Sequence, residues 1–238
     1  MERKFEVDME KLKTRIIKMS SLVDEQVEFA LRAIDEENPE LSQIVIDRDK
    51  KVNKHDRKVE KICQRIIALN QPVAMDLRLI ISALTISTNL ERIGDLAKNI
   101  SGSFSEMGHK PKFISETKHF EMAKIAKEML RDAIDAFNEG NIELAKNVID
   151  TDDILDELYN QNRKILIEIM KAKVENIEPA VNLLEISRQL ERIGDQSTNI
   201  AEDVYFIVEA QLIKHKYEKY IYTQLDKDEE NDDGEEEK

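Results

Sequence analysis

Residues 91–100 read ERIGDLAKNI, and residues 191–200 read ERIGDQSTNI. Seven of the ten positions match, and the matches include the Glu, the Gly and the Asp. A segment that recurs at this length indicates an internal duplication, in which two similar units share one structure. The segment also places two acids and a Gly within an apolar pattern, which helix packing alone does not require.

The duplication extends beyond this segment. VIDRD at 45–49 aligns with VIDTD at 148–152, and Met19 aligns with Met122. The offset here is 103 residues instead of 100, so the second repeat is three residues shorter between its second and third helices. The sequence therefore predicts one repeat at 1–112 and another at 113–223.

Proline positions and composition divide each repeat into three long helices. Only 5% of the residues are aromatic, and the chain has six Gly and four Pro, which is typical of long helices with short connections. Proline is tolerated in the first turn of a helix but not in its interior, so each proline marks a boundary. The predicted helices span 4–36, 39–70 and 74–107, then 116–138, 142–172 and 178–222.

The third helix of each repeat has apolar residues in steps of three and four, which predicts a seam buried against neighbouring helices. We therefore expect an all-α fold of two tandem, internally homologous, antiparallel three-helix bundles lying side by side. The seam residues are Ala83, Ile86, Leu90, Ile93, Ala97, Ile100, Phe104 and Met107, and then Ile186, Leu190, Ile193, Ser197, Ile200, Val204 and Ile207.

The charge distribution excludes several classes of function. The formal net charge is −14, and residues 226–238 carry nine acids against two lysines, which predicts a disordered acidic tail at 224–238. A chain this acidic is not expected to bind nucleic acid. The start lacks the apolar stretch of a signal peptide and the longest apolar run, 79–86, is short, so we expect a cytoplasmic protein.

Catalytic motifs are not apparent. The sequence has no nucleophile elbow, phosphate loop or dinucleotide fingerprint, and its one cysteine, Cys63, lies in an apolar stretch. We therefore do not expect an enzyme.

The acids of the repeated segment suggest metal ligands instead. Glu91 and Asp95 are one helical turn apart, as are Glu191 and Asp195, and we expect them on an outer acidic stripe. If the second and third helices of each repeat are neighbours, further oxygen-bearing side chains join them, and such clusters suit Mg, Ca, Mn or oxidised iron. The predicted ligands are Asp49, Asn53, Glu91 and Asp95 in the first repeat, and Asp152, Asp156, Glu191 and Asp195 in the second.

Two other interpretations stay open at this point. Acidic pairs are common on solvated helix faces, where Arg92 and Arg192 would form ordinary ion pairs. Glu-x-x-His, the spacing used by di-iron bundles, also occurs at 106–109 and 116–119, but those bundles carry the pairs mid-helix on separate helices and here they flank a turn, so a di-iron site is not expected there. A metal-dependent (iron) oxidoreductase or a metal-storage bundle is the alternative function.

Several stretches together resemble the phosphate-uptake regulator family, PhoU. They are NQP at 70–72, DLR at 76–78, LERIGD at 90–95, NI at 99–100 and NIAEDV at 199–204. The resemblance covers both repeats, at about residues 4–216. It implies a regulator, not an enzyme, that connects a phosphate ABC transporter to a sensor histidine kinase and holds starvation signalling off when phosphate is plentiful.

The resemblance also implies metal chemistry and partners. Some members bind multinuclear metal clusters, iron among others, through motifs that correspond to Glu91 and Asp95 and to Glu191 and Asp195. Zinc is not excluded as the metal. Contact with the membrane is expected only through the transporter's ATPase subunit, and a homodimer is expected. Asn53 stands where the second repeat has Asp156, which makes the first site less anionic, and Gln196 replaces a His found in many relatives.

Overall fold

The computed structural model describes residues 2–211, with side chains from residue 4 onward. The predicted acidic tail at 224–238, and residues 212–222 of the predicted sixth helix, lie outside this range.

The described residues form six α-helices, which confirms the all-α prediction. Two short 3₁₀ helices, Lys112–Glu116 and Val174–Asn176, precede the fourth and sixth helices. In chain order the α-helices are α1 (Glu2–Asp35), α2 (Pro39–Asn70), α3 (Ala74–Met107), α4 (His119–Glu139), α5 (Ile142–Ala172) and α6 (Ile177–Glu209).

Asparagine caps fix the starts of α2 and α5. The Asn38 side chain accepts a hydrogen bond from the Glu40 backbone N–H at 3.0 Å, and Pro39 occupies the first helical position. The Asn141 side chain accepts from the Leu144 N–H at 3.1 Å. A cap of this kind satisfies one of the unpaired N–H groups at a helix start, so both boundaries agree with the prediction.

Two other boundaries differ from the prediction. α4 begins at His119 instead of 116, because residues 112–116 form a 3₁₀ helix that buries Ile114. α6 stops at Glu209, well before 222, because Ala210 adopts the left-handed conformation (φ 59°) and donates its N–H to the Phe206 carbonyl.

The two repeats share one core. α1, α2 and α3 pack on one another, as do α4, α5 and α6, and α3 packs along α6 between the repeats. The predicted seam residues are buried, except that Ile207 is only partly so. An ion pair of 3.0 Å between Arg131 and Asp24 adds a polar link from α4 to α1. Among residues 2–211, no helix combines the length and apolarity that a membrane span requires.

Buried polar side chains also hold the helices of each repeat in register. Asn162 on α5 accepts a hydrogen bond from the Lys118 backbone N–H at 2.7 Å and donates to the Ser187 hydroxyl at 2.8 Å. In the first repeat, the Ser87 hydroxyl on α3 donates to Asp56 on α2 at 2.8 Å. These contacts fix how α5 lies against α6 and how α2 lies against α3, and so they position the acids of the repeated segment.

Candidate metal centre

α5 and α6 bring three predicted ligands of the second repeat together. Asp156 on α5 and Glu191 and Asp195 on α6 each offer a carboxylate oxygen, and these oxygens all lie within 4.8 Å of one another. Hard cations bind carboxylate oxygens at about 2.0–2.6 Å, so one ion between the three groups can reach all of them. The donor set and its spacing therefore fit an oxygen-coordinated polyvalent cation.

Gly194 allows α5 to pack this closely against α6. A Cβ added at this position would lie 2.5 Å from Leu155 Cδ2, well inside normal contact distance, and 3.5 Å from Asp152 Oδ1. The close approach is thus made by side chains of α5 and not by its backbone. It also places Asp152, the fourth predicted ligand, beside the repeated segment.

The three acids of this cluster differ in exposure. Glu191 and Asp195 are half-buried, because α5 packs over the side of α6 that carries them, whereas Asp156 is exposed. Burial, followed by the charges of Asp195 and Asp156, raises the pKa of Glu191 to about 7. Partial desolvation by neighbouring groups, followed by the charge of Asp153, also raises the pKa of Asp156. Partial desolvation and crowded negative charge are the conditions that a bound cation relieves.

Thr198 adds a further oxygen to the same face of α6. It lies three residues after Asp195, where helical side chains are neighbours. The residue is 1% exposed, and its hydroxyl oxygen has no hydrogen-bond partner within the described part of the chain. A buried hydroxyl without a partner is uncommon.

The first repeat brings its predicted ligands together around a lysine. Asp49, only 7% exposed, accepts hydrogen bonds at the same Oδ2 atom from Asn53 Nδ2 (3.4 Å) and from Lys98 Nζ (3.2 Å). The Lys98 ammonium also lies 3.8 Å from Asp95 Oδ1. The hydrogen bond with Asp49 raises the pKa of Lys98, so the group carries its charge throughout the ordinary pH range.

Glu91 completes this acidic cluster, together with a residue that the sequence analysis missed. Burial, and then the charges of Asp95, Asp56 and Asp49, raise the pKa of Glu91. Burial and Asp49 raise the pKa of Asp95, while Lys98 opposes that change. Asp56 was missed although it follows Asp49 by seven residues, a spacing that returns to the same helix face.

The remaining candidate residues lie apart from these clusters. The pairs Glu106–His109 and Glu116–His119 do not form a group of potential ligands among the described residues, and His119 is 2% exposed in the core. Burial lowers the pKa of His119 to about 4, so this imidazole is neutral. Cys63 is buried in the core, as predicted, and burial raises the pKa of its thiol to about 12. An unreactive thiol of this kind contributes to packing.

Comparison with known proteins identifies the family. The PhoU domain matches the chain twice, at residues 16–103 and 120–204, and each match falls within one predicted repeat. The chain belongs to the PhoU family. The two matches include both copies of the repeated segment, so the acidic clusters lie within the family's own domain.

Curated PhoU relatives align along almost their whole length. A phosphate-specific transport system accessory protein PhoU homolog from Aquifex aeolicus is 35% identical over 212 residues, covering 89% of this chain and 96% of that protein. PhoU homolog 1 of Thermotoga maritima is also 35% identical, over 211 residues, covering 85% of this chain and 88% of that protein.

Solved PhoU structures have the same fold. The crystal structure of PhoU from Pseudomonas aeruginosa superimposes with a TM-score of 0.83 at 32% identity, over 87% of this chain and 100% of that one. The phosphate transport system regulatory protein PhoU from Streptococcus pneumoniae gives 0.80 at 26% identity, over 88% and 99% of the two chains.

Proposed function

We propose that this protein regulates phosphate uptake as an adaptor between an ABC phosphate transporter and a sensor histidine kinase, and that it restrains starvation signalling when phosphate is plentiful. Membership of the PhoU family carries this proposal. Relatives that align along most of the chain are named accessory proteins of the phosphate-specific transport system, and the protein from Streptococcus pneumoniae is named a phosphate transport regulatory protein.

Several further properties belong to the same proposal. The protein acts without catalytic chemistry of its own. It works in the cytoplasm as a homodimer, and it meets the membrane only through the transporter's ATPase subunit and the kinase. An adaptor needs surfaces for two partners and no reaction centre, and the location and the homodimer are what the resemblance to the family implies.

Exposed apolar side chains support a protein-binding role. They cluster at the connection between α2 and α3 and again at the equivalent connection between α5 and α6, where Val73 is 72% and Val174 is 80% exposed. At the first connection, Gln71 (φ 47°) ends α2 as a left-handed cap, and Ala74, at the start of α3, also has a positive φ of 47°; backbone strain at a non-glycine residue such as Ala74 is concentrated at functional sites. The exposed residues are Leu69, Val73 and Met75, and Val174, Ile177 and Val181.

The adaptor role is tested by capturing partners. The tagged full-length chain is recovered from phosphate-replete and phosphate-starved cells, and the bound proteins are identified by mass spectrometry. We expect the transporter ATPase and the kinase in the replete sample. The double change Val73→Ser with Met75→Ser should reduce their recovery, whereas Ile44→Ser, at an exposed apolar residue away from this connection, should not. Recovery of neither partner in either sample would contradict the adaptor role.

The second-repeat cluster is part of the proposal as a metal site. Asp156, Glu191 and Asp195 would hold a polyvalent cation, with Asp152 and Thr198 beside them. An all-oxygen donor set favours Mg, Ca, Mn or oxidised iron over zinc, and it also suits a multinuclear iron cluster. When bound, the cation would supply positive charge to an acidic surface and so change which partner surfaces that surface attracts.

Elemental analysis tests the metal site. The protein is purified without added metal or chelator, and its metal content is compared with that of Asp195→Asn, which keeps the size of the side chain and removes its charge. Exposed Glu178→Gln, near the start of the same helix and away from the cluster, is the control. We expect metal in the wild type and the control and its loss in Asp195→Asn. Equal metal content in all three proteins would exclude the cluster as the site. Oxygen consumption by the metal-loaded protein would instead favour the oxidoreductase.

A further inference from the structure

Lys98 gives the first repeat a cation of its own. It reaches from α3 across to α2, where its ammonium contacts buried Asp49 at 3.2 Å, and it also lies 3.8 Å from Asp95 on its own helix. Its side chain is 40% exposed, while that of Asp49 is 10% exposed. A carboxylate this deeply buried requires a charged or strongly polar partner, and Lys98 is that partner.

The second repeat has a neutral residue at the matching position. Thr198 stands where the first repeat has Lys98, at the same distance after the acid of the repeated segment. The exchange between Asn53 and Asp156 works in the same direction, because the second repeat has a carboxylate where the first has an amide. Both differences leave the second cluster more negative than the first.

The ammonium and a polyvalent cation compete for the same oxygen. Asp49 Oδ2 already accepts hydrogen bonds from Lys98 and from Asn53. A metal ion at about 2.0–2.6 Å from this carboxylate would require lone pairs that these donors occupy. It would also lie within a few ångströms of a positive charge, where like charges repel strongly in a partly buried setting.

We propose that Lys98 acts as the resident cation of the first acidic cluster and thereby restricts polyvalent metal binding to the second repeat. This inference rests on the proposed metal site at Asp156, Glu191 and Asp195. The two repeats then have different roles: the first cluster is a permanent ion pair, and only the second responds to the supply of metal. Lys98 is in this sense a residue that determines specificity, because its charge decides which repeat binds metal.

The test measures Mn²⁺ binding to the full-length chain by electron paramagnetic resonance and calorimetry. In the wild type we expect Mn²⁺ binding that is lost in Asp195→Asn and retained in Asp49→Asn. Lys98→Met removes the charge at similar length, and it should add Mn²⁺ binding that a second change, Asp49→Asn, abolishes. We expect this binding to be about tenfold tighter than any at the wild-type first cluster, the scale of one charged hydrogen bond.

Lys98→Arg is the matched control, because it keeps the charge and should gain no Mn²⁺ binding. Lys98→Thr, which copies the second repeat, provides a second variant if Lys98→Met is poorly folded. Without metal, either neutral variant should have a lower melting temperature than the wild type, since Asp49 loses its charged partner and keeps only Asn53. Mn²⁺ should restore the melting temperature. Thr198→Lys should reduce binding at the second cluster.

The outcomes separate the inference from the proposed function. If the wild type binds Mn²⁺ through Asp49 while Lys98 is present, the inference is overturned and the second-repeat site still stands. If neither Lys98→Met nor Lys98→Thr gains Mn²⁺ binding, the inference is likewise overturned. If Asp195→Asn leaves Mn²⁺ binding unchanged, the proposed second-repeat site fails. A gain of binding in Lys98→Met that depends on Asp49 would nevertheless support the role of Lys98.

Discussion

The titration of Glu191 reports the free-energy cost of adding a negative charge to the second cluster. Its pKa is raised from an ordinary value of 4.5 to about 7, first by burial and then by Asp195 and Asp156. This change in pKa corresponds to about 3 kcal/mol between the protonated and ionised forms. Because Glu191 is only half-buried, solvent screening reduces this energy. We therefore expect the ionised Glu191 to destabilise the folded protein by about 1–2 kcal/mol.

The sign of the pH dependence follows from the raised pKa. Between about pH 4.5 and 7 the folded protein keeps a proton on Glu191 that the unfolded chain releases, so the free energy of unfolding falls as the pH rises through this window. Glu191→Gln replaces the acid with a neutral group of similar size. Without metal, this variant should be more stable than the wild type by about 1–2 kcal/mol at pH 8.5, and the difference should largely disappear at pH 4.5.

The measurement is urea unfolding followed by circular dichroism at the two pH values, with a chelator present. Glu178→Gln, at an exposed position of the same helix, is the control and should change little at either pH. Added Mn²⁺ should reverse the order, because it stabilises the wild type and not Glu191→Gln. A Glu191→Gln protein that is less stable than the wild type at pH 8.5 without metal would refute the reasoning.

Three further changes test other parts of the structure. Burial raises the pKa of Asp203 to about 7, so Asp203→Asn should stabilise the protein by about 1–3 kcal/mol at pH 8.5, with an advantage that shrinks toward pH 4 in urea unfolding. Gly194→Ala should destabilise the protein by about 1–2 kcal/mol in the same assay, because the close contact with Leu155 outweighs the gain in helix propensity. Gly94→Ala should cost less than about 1 kcal/mol, because its added Cβ would meet only a glutamine oxygen, at 3.2 Å. Asn162→Ala removes two buried hydrogen bonds and should cost about 2–3 kcal/mol, with early hydrogen exchange at the start of α4; no change in stability would contradict its role.

The fold was predictable because its signals are local. Steps of three and four along α3 and α6 specify buried seams, and Asn38 and Asn141 specify helix starts through caps that depend only on adjacent residues. The end of α6 was not predictable in this way. No Gly or Pro occurs near Ala210, so nothing in the local sequence marks the left-handed residue that ends the helix.

The candidate site was only partly predictable, for a different reason. The side chains of Asp156, Glu191 and Asp195 meet because neighbouring helices of one repeat must pack together, which periodicity implies. The contact between Lys98 and Asp49 depends on the register of α2 against α3 and on the direction of a long side chain, and a single sequence specifies neither. Lys98 therefore looked like one more charged residue on a helical face.

The contrast between Lys98 and Thr198 has a consequence for how such a molecule can change over time. In a symmetric dimer of one repeat, every substitution appears in both acidic clusters, so a lysine would alter both at once. In a single chain that carries both repeats, one cluster can gain an ammonium while the other keeps its oxygens. The two repeats of one chain can therefore take different roles, one with a fixed ion pair and the other with a cluster that responds to metal. No change in fold is needed.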